Sequence, residues 1–456
     1  MSRLVVFSNR LPVGDNPAGG LVFALRDTMD TMGGLWIGTA GDPNTAVDSH
    51  LVNHPGANFE RLAMRLTGTE HQNYYLGYAN SVLWPICHGR PDLLDIRPEY
   101  FESYLAVNSR LAGLSVKHLK DDDVIWIHDY HLIPLASELR KRGTKNKIGY
   151  FHHIPFPSAQ NIRALSHYKE LVGWFAEYDL VGLQTQRDVA SCLEVFRSII
   201  STEILLNGKI KYGDNIAQVK SFPISIDVSA FAKIAANSLS GRERILPKDQ
   251  RLIIGVDRLD YSKGLPQRLR GFQQFLKDRK FGEQNVSLLQ IAPPTRGSLA
   301  AYSDIRNELE ALSGEVNGEF ATIGYTPVQY IHKSVERDLL AGYYRRASVG
   351  LVTPLADGMN LVAKEYLAAQ DPSNPGVLIL SQFAGAYEQL QKTAVGVNPY
   401  DATSIAKAIE TAISMSLAER QKRHSEAMAQ MQAQDIHWWT ESFLNSLART
   451  SESFRK

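Results

Sequence analysis

Residues 252–264, Leu252-Ile253-Ile254-Gly255-Val256-Asp257-Arg258-Leu259-Asp260-Tyr261-Ser262-Lys263-Gly264, decide the fold class of this chain. Five apolar residues with no polar alternation read as a strand buried on both faces, which is the habit of parallel sheets covered by helices. The charged turn that follows breaks the strand. Working outward, the same scheme recurs at 286–291, 349–352 and 377–380, and earlier at 4–7, 124–127, 148–151 and 180–183, with helical patterns between the runs. The expectation is an α/β fold with parallel sheets.

A chain of 456 residues exceeds one ordinary core, so two domains of about 200 residues are expected. The polar stretch from 227 to 250, after Phe222-Pro223, reads as the connection. This places one domain at 1–230, a second at 231–433 and a closing segment at 434–456. In the second domain, 299–316 carries Tyr302, Ile305, Leu309 and Leu312 at helical spacing and is scaffold. The closing segment concentrates Ile436, Trp438, Trp439, Phe443, Leu444 and Leu447 on an amphipathic helix that is expected to pack across the domain junction, and which is also compatible with a homo-oligomer interface.

Lys plus Arg number 49 and Asp plus Glu 48, so no global field attracts nucleic acid or an acidic membrane, and any anion site must be local. No stretch approaches the roughly 18 apolar residues of a membrane span, and the N-terminus lacks the apolar core of a signal peptide. Two cysteines, Cys87 and Cys192, form neither a disulfide framework nor a paired zinc site, which fits a reducing compartment and a cytoplasmic protein.

In open parallel sheets, ligands gather beyond the carboxyl ends of the strands. After 252–256, Arg258 and Lys263 place two cations in one strand-to-helix turn, suited to a diphosphate and to charge building on a leaving group. The competing interpretation is a solvated pair of ion pairs with Asp257 and Asp260. After 349–352, Thr353-Pro354-Leu355-Ala356-Asp357-Gly358-Met359-Asn360 opens a helix over 361–370, whose free amides form an anion site, with Asp357 for sugar hydroxyls and Glu365 for a ribose. The alternative is an Asp or Asn cap on a buried helix. Ser8-Asn9-Arg10 ends the first strand, and Pro17-Ala18-Gly19-Gly20 forms a glycine loop. GxGxxG and GxxxxGK[ST] are both absent. His128, Asp129, His131, His152 and His153 end two further strands. They could instead ligate a metal, but lack the spacing of a known metal motif. Asp121-Asp122-Asp123 looks like an acidic metal motif for sugar nucleotides, yet it precedes its strand, at the end opposite to where ligands bind, and reads as a solvated turn.

Taken together, Ser8-Asn9-Arg10, the glycine loop, Tyr74-Tyr75, VLWP at 82–85, WIHDYHL at 126–132, HHIPFP at 152–157, DRLDYSKGLP at 257–266, APPTRG at 292–297, TPLADGMNLVAKEYLAAQ at 353–370 and NPGVLILSQFAGA at 374–386 closely resemble the bacterial trehalose-6-phosphate synthases, retaining glycosyltransferases. The resemblance spans nearly the whole chain and implies a GT-B architecture, two facing Rossmann-like domains with an interdomain catalytic cleft. It implies glucosyl transfer from UDP-glucose to glucose 6-phosphate by front-face displacement, with no metal and no cofactor. It assigns Arg258 and Lys263 to the donor diphosphate and Glu365 to the ribose, with Leu361 and Val362 beside the nucleotide. Asp357, Gly358, Met359, Asn360 and His153 take the donor glucose and its phosphates, and Gly20 lies near the diphosphate. Arg10, Tyr75 and Arg296 take the acceptor phosphate, and Trp84 and Asp129 the acceptor sugar. Asp129, His153, Arg258, Lys263 and Asp357 form the implied catalytic set. One departure stands out: Thr39 occupies a position where familiar members of the family carry a bulky ring. The rival functions are a sister transferase using another phosphorylated acceptor such as glycerol 3-phosphate, a metal-dependent phosphohydrolase built on the histidines, and a silent sugar-nucleotide sensor.

Overall fold

The computed structural model describes residues 2–12, 20–41, 51–54, 58–198, 202–238, 250–279, 286–297 and 299–450. The chain divides into two compact units, Met1–Ile224 with Ile436–Lys456, and Ser225–Asp435. Among the described residues, the first unit holds a 10-stranded sheet and the second a 6-stranded sheet.

In the first unit the sheet runs Val52–Asn53, Glu60–Met64, Leu35–Thr39, Leu4–Arg10, Val124–His128, Ile148–Phe151, Leu180–Leu183, Asn215–Ser221, Lys209–Tyr212, Thr202–Ile204. From Glu60–Met64 to Asn215–Ser221 neighbours are parallel, and the outermost strands at both edges are antiparallel. Ile148–Phe151 and Leu180–Leu183 are buried along their whole length, as unbroken apolar runs require when both faces are covered. The order reverses between Leu4–Arg10 and Val124–His128. That reversal opens a crevice at the carboxyl ends, where Arg10 and Asp129 lie.

The second sheet runs Val328–Ile331, Val286–Ile291, Arg251–Val256, Val349–Val352, Val377–Ser381, Val395–Val397 and is parallel throughout. Its order reverses between Arg251–Val256 and Val349–Val352, which pair through Ile253 and Val349. The turns that leave these two strands are the two charged segments singled out in the sequence. Gly264 makes their approach possible: its φ is 62°, and a Cβ there would lie 2.2 Å from the Thr353 carbonyl oxygen. The next helix, Leu265–Asp278, starts with Pro266 in its first turn, where a missing N–H costs nothing.

The stretch 227–250, expected as a connection, begins as structure: Asp227 caps the helix Val228–Asn237 by accepting from the Ala230 N–H at 2.8 Å. Phe231 of that helix packs on Tyr344, so the apolar positions 228, 231 and 235 outweigh the polar composition around them. Residues 239–249 lie outside the described residues. Asp123 likewise departs from a solvated turn. It is buried, accepting from Arg3 Nε at 3.0 Å and Arg3 Nη2 at 2.7 Å.

The helix Ile436–Ala448, expected across the junction, belongs to the first unit. Trp439 and Phe443 sit on Trp126 at centroid distances of 4.8 and 4.5 Å, and Trp439 meets Phe151 at 5.0 Å. Gly149 and Gly182 leave the hollow for the Phe443 ring, since a Cβ at either would come within 2.7 Å of it. Burying two such rings contributes up to about 5 kcal/mol each from area alone. Among the described residues, no helix is long and apolar enough to cross a membrane.

Candidate active site

In the second unit, the strand Arg251–Val256 ends in Asp257, and from there the chain splits its carboxylates and cations in a way no spacing reveals. Asp257 is buried and receives Arg268 Nη2 at 2.6 Å; burial pushes its carboxyl above the usual range against the pull of Arg268 and Lys263. Arg268, fully buried, also donates to Thr353 Oγ1 at 3.0 Å and Gln290 Oε1 at 3.0 Å. One guanidinium therefore ties together the ends of three adjacent strands. The interpretation of Asp257 and Asp260 as solvated partners of Arg258 and Lys263 fails on burial, because both carboxylates are buried and serve other groups.

Asp260 accepts from the Ser262 N–H at 2.9 Å and the Ser262 hydroxyl at 2.8 Å on Oδ1, holding the turn Tyr261–Lys263. Its Oδ2 receives Arg296 Nη1 at 3.3 Å and the Tyr302 hydroxyl at 3.0 Å. One carboxylate thus holds Arg296 directly and the turn that carries Lys263 through Ser262. The Ser262 carbonyl accepts from the Leu355 N–H at 2.7 Å, joining this turn to the next.

Lys263 Nζ donates to Asp357 Oδ2 at 2.6 Å, and Asn360 Nδ2 donates to the same oxygen at 3.0 Å. Asn360, at φ 82°, is also the N-cap of the helix Leu361–Ala369, its Oδ1 accepting from the Ala363 N–H at 3.1 Å. The cap reading and the site reading therefore coexist in one residue. The segment is stapled from behind, where the Gly385 N–H donates to the Asp357 carbonyl at 3.0 Å and the Ala386 N–H to the Met359 carbonyl at 2.7 Å. Gly358 and Met359 are buried, Asp357, Leu361, Val362 and Glu365 are half-buried, and Arg258 is exposed. Burial pushes the Glu365 carboxyl up to about 7, with Arg337 pulling the other way.

In the first unit, Asn9 and Arg10 end their strand beside Tyr75, with the Arg10 guanidinium 5.0 Å from the Tyr75 ring centre. Asn9 Oδ1 accepts from the Tyr74 hydroxyl at 2.9 Å. Tyr75 stacks on His131 at 5.8 Å and lies on the helix His71–Leu83, whose widened, π-type winding is rare in proteins and frequent at functional sites. A cavity of about 340 Å³ is lined here by Asn9, Arg10, Thr39, His71 and Tyr75, among others. The Thr39 hydroxyl donates to the Asn9 carbonyl. Trp84 is buried, stacked on His88 at 4.0 Å and 5.8 Å from the Tyr130 ring.

Asp129 has φ 76°, strained for a residue with a side chain; its N–H donates to the Phe151 carbonyl at 2.8 Å, and its Oδ1 accepts from the His153 N–H at 3.1 Å. His153 Nε2 and His128 Nδ1 share a hydrogen bond of 3.1 Å, and Trp439 covers both rings. Burial pulls the His128 imidazole down to about 3 and His153 well below its ordinary value, so both are neutral. His152 bonds Tyr150 Oη at 2.9 Å instead. The histidines therefore split among packing, stacking and a shared hydrogen bond. Among the described residues, no group of three or more His, Cys, Asp and Glu is arranged to hold a metal ion. Gly20 opens the helix Gly20–Met32, while residues 13–19, with Pro17, Ala18 and Gly19 of the glycine-rich stretch, lie outside the described residues.

Sequence reasoning missed the buried role of Asp260, which it named only as a solvated ion-pair partner, passed over Arg268, and missed the Lys263 to Asp357 pairing. Neither the 94-residue separation of that pair nor the burial of the two carboxylates leaves a local signal.

The profile of Glycosyltransferase family 20 matches residues 8–449. A trehalose-6-phosphate synthase of Sodalis glossinidius (strain morsitans) is 42% identical over 454 residues, covering 98% of this chain and 96% of its own length. One from Salmonella typhimurium (strain LT2) is 42% identical over 455 residues, with 98% and 95% covered. Among solved structures, an α,α-trehalose-phosphate synthase (UDP-forming) from Burkholderia xenovorans in complex with glucose 6-phosphate has a TM-score of 0.93 at 41% identity, covering 98% of this chain and 100% of that one. An E. coli structure bound with UDP-2-fluoro glucose has a TM-score of 0.92 at 41% identity, with 99% and 100% covered.

Proposed function

The chain belongs to glycosyltransferase family 20, and from that premise we propose how its residues divide the work of a glucosyl transfer. The reaction moves glucose from UDP-glucose to glucose 6-phosphate and yields α,α-trehalose 6-phosphate and UDP, a step of trehalose biosynthesis. The fold is of the GT-B type. The observation that carries the division of labour is the meeting of Lys263 and Asp357 at the switch point of the second sheet, at 2.6 Å, one turn from Arg258 in the same strand-to-helix segment.

Arg258 and Lys263 take the donor diphosphate and neutralise the charge that develops as UDP leaves. The amides that open the helix Leu361–Ala369 add a fixed dipole, Leu361 and Val362 flank the nucleotide, and Glu365 accepts from the ribose. Asp357, Gly358, Met359 and Asn360 hold the glucose and its phosphates, with Gly20 near the diphosphate. His153, neutral and oriented by His128, contacts the same sugar. In the first unit Arg10 and Tyr75 are assigned to the acceptor phosphate and Trp84 and Asp129 to the acceptor sugar; in the second unit Arg296 is assigned to the acceptor phosphate. The positive charge on the leaving group comes from side chains, so the step is written without a metal. Transfer proceeds on one face with retention: the leaving phosphate oxygen takes the acceptor hydroxyl proton as the glycosidic bond forms. The two free, buried cysteines support a cytoplasmic setting.

The rival acceptor rests on Thr39, which lines the cavity beside Arg10 and Tyr75. The deciding experiment incubates pure protein with UDP-glucose and either glucose 6-phosphate or glycerol 3-phosphate, with EDTA present, and identifies products by NMR. Trehalose 6-phosphate with an α,α linkage is expected. Product from glycerol 3-phosphate alone sinks this reading of the acceptor, and loss of turnover in EDTA sinks the metal-free step.

A further inference from the structure

We propose that Asp260 is a positioning residue shared by the two substrates, one oxygen setting the Lys263 turn and the other holding Arg296. The inference rests on the assignment of Lys263 to the donor diphosphate and of Arg296 to the acceptor phosphate.

The side chain is fully buried. A buried carboxylate without compensating donors is expensive, and here donors arrive on both oxygens. Oδ1 receives the Ser262 N–H at 2.9 Å and hydroxyl at 2.8 Å, which shape the single turn Tyr261–Lys263. Oδ2 receives Arg296 Nη1 at 3.3 Å and the Tyr302 hydroxyl at 3.0 Å. Tyr302, on the helix Ala300–Phe320, in turn accepts from Arg296 Nη1 at 2.5 Å. Arg296 itself sits at φ 48°, a left-handed conformation that costs a residue with a Cβ and persists only where outside contacts hold it. The Asp260 and Tyr302 pair supplies such contacts. A guanidinium meant for a mobile, phosphorylated acceptor is thereby anchored to the same atom group that shapes the donor turn.

The two oxygens are chemically separable. In Asp260→Asn one oxygen remains. Ser262 presents two donors at short range, so that oxygen stays with Ser262, and the amide NH₂ is left facing the Arg296 guanidinium, which can only donate, and the Tyr302 hydroxyl, which must turn to accept. The donor turn survives while Arg296 loses Asp260 as a charged partner and keeps the Tyr302 hydroxyl. Asp260→Ala removes both.

The test compares Asp260→Asn, Tyr302→Phe and Arg296→Ala by steady-state kinetics, with UDP binding measured by calorimetry. Asp260→Asn should raise the KM for glucose 6-phosphate about tenfold or more and leave the Kd of UDP within about twofold. Tyr302→Phe should raise the acceptor KM about threefold, and it keeps the proposal open to refutation if the Asp260 variant does not fold. Combining Asp260→Asn with Arg296→Ala should add little to Arg296→Ala alone, since both act through one group. A carboxylate that merely stabilised the fold would lower Tm and active fraction with both constants unchanged, and that outcome overturns the proposal, as does a parallel rise in UDP Kd. If Arg296→Ala leaves the acceptor KM unchanged, the assignment of Arg296 has failed. If it raises that KM while Asp260→Asn does not, the role of Asp260 alone is refuted.

Discussion

Replacing Lys263 by Met should cost this enzyme both stability and rate, and the two losses can be separated. The ammonium lies 2.6 Å from Asp357 Oδ2, with the two side chains only 10% and 13% exposed. At an effective dielectric of about 20, the gross attraction at that distance is about 6 kcal/mol, most of it cancelled by desolvation. Removing one partner of such a pair costs about 3–5 kcal/mol, because the remaining charge is stranded. Here Asn360 Nδ2 still donates to the same oxygen at 3.0 Å, which places the expected cost near the low end, about 3 kcal/mol. For a unit of about 200 residues that lowers Tm by roughly 6–12 °C. The rate loss is independent: withdrawing one charge from the developing UDP leaving group should lower kcat by about 10²- to 10³-fold. Differential scanning calorimetry and a coupled UDP-release assay measure the two. Adding Asp357→Asn to Lys263→Met removes the stranded charge and should recover at least half of the lost stability while leaving the rate low. A double variant that regains activity, or a Lys263→Met enzyme within about threefold of wild-type kcat, would falsify the idea that Lys263 acts on the donor.

Arg258→Ala should behave differently from Lys263→Met, because Arg258 is exposed: kcat falls about 10²-fold and Tm moves by less than about 1 °C, and a large Tm shift would show a structural role instead. The buried His128, held down to about 3 against an unfolded value of about 6.5, binds its proton only in the unfolded chain between those limits. Its stabilising effect is therefore complete above about pH 6.5 and drains as pH falls toward 3, at up to about 1.4 kcal/mol per pH unit. Urea midpoints at pH 7 and pH 5 should differ more in the wild type than in His128→Asn, and equal differences count against a buried neutral imidazole. In Gly385→Ala the new Cβ would lie 1.7 Å from the Gly358 carbonyl oxygen, so the backbone staple behind Asp357 must open; a loss of about 3 kcal/mol and of most activity is expected, and an unchanged Tm would refute the packing.

What could be read in the sequence follows from periodicity and punctuation. The runs at 148–151, 180–183, 286–291 and 349–352 coincide with observed strands, because a strand covered on both faces is dominated by apolar residues and so announces itself, Ser287 and Gln290 being the polar exceptions. Strands such as Leu35–Thr39 and Glu60–Met64 went unread, the first hidden behind a double glycine and the second interrupted by charge at an outer position of the sheet. The helix Val228–Asn237 was obscured by the polar stretch that follows it. Gln186–Arg197 and Ala402–Ser414 carry their caps, Thr185 and Asp401, in plain view.

Sequence alone determined the α/β class, the strands whose ends matter, the placement of Arg258 and Lys263 in one strand-to-helix turn, and the family to which the chain belongs, because each of these is a local pattern or a motif in order. Tertiary structure decided which charge meets which. It turned Asp257 toward Arg268 and Asp260 toward Arg296 and Tyr302, set Lys263 on Asp357, and drew the closing helix onto Trp126 and Phe151. The physical reason is that the pull between charges and the room for an aromatic ring depend on distance and burial. Strand order sets both, bringing residues 94 apart to within a hydrogen bond.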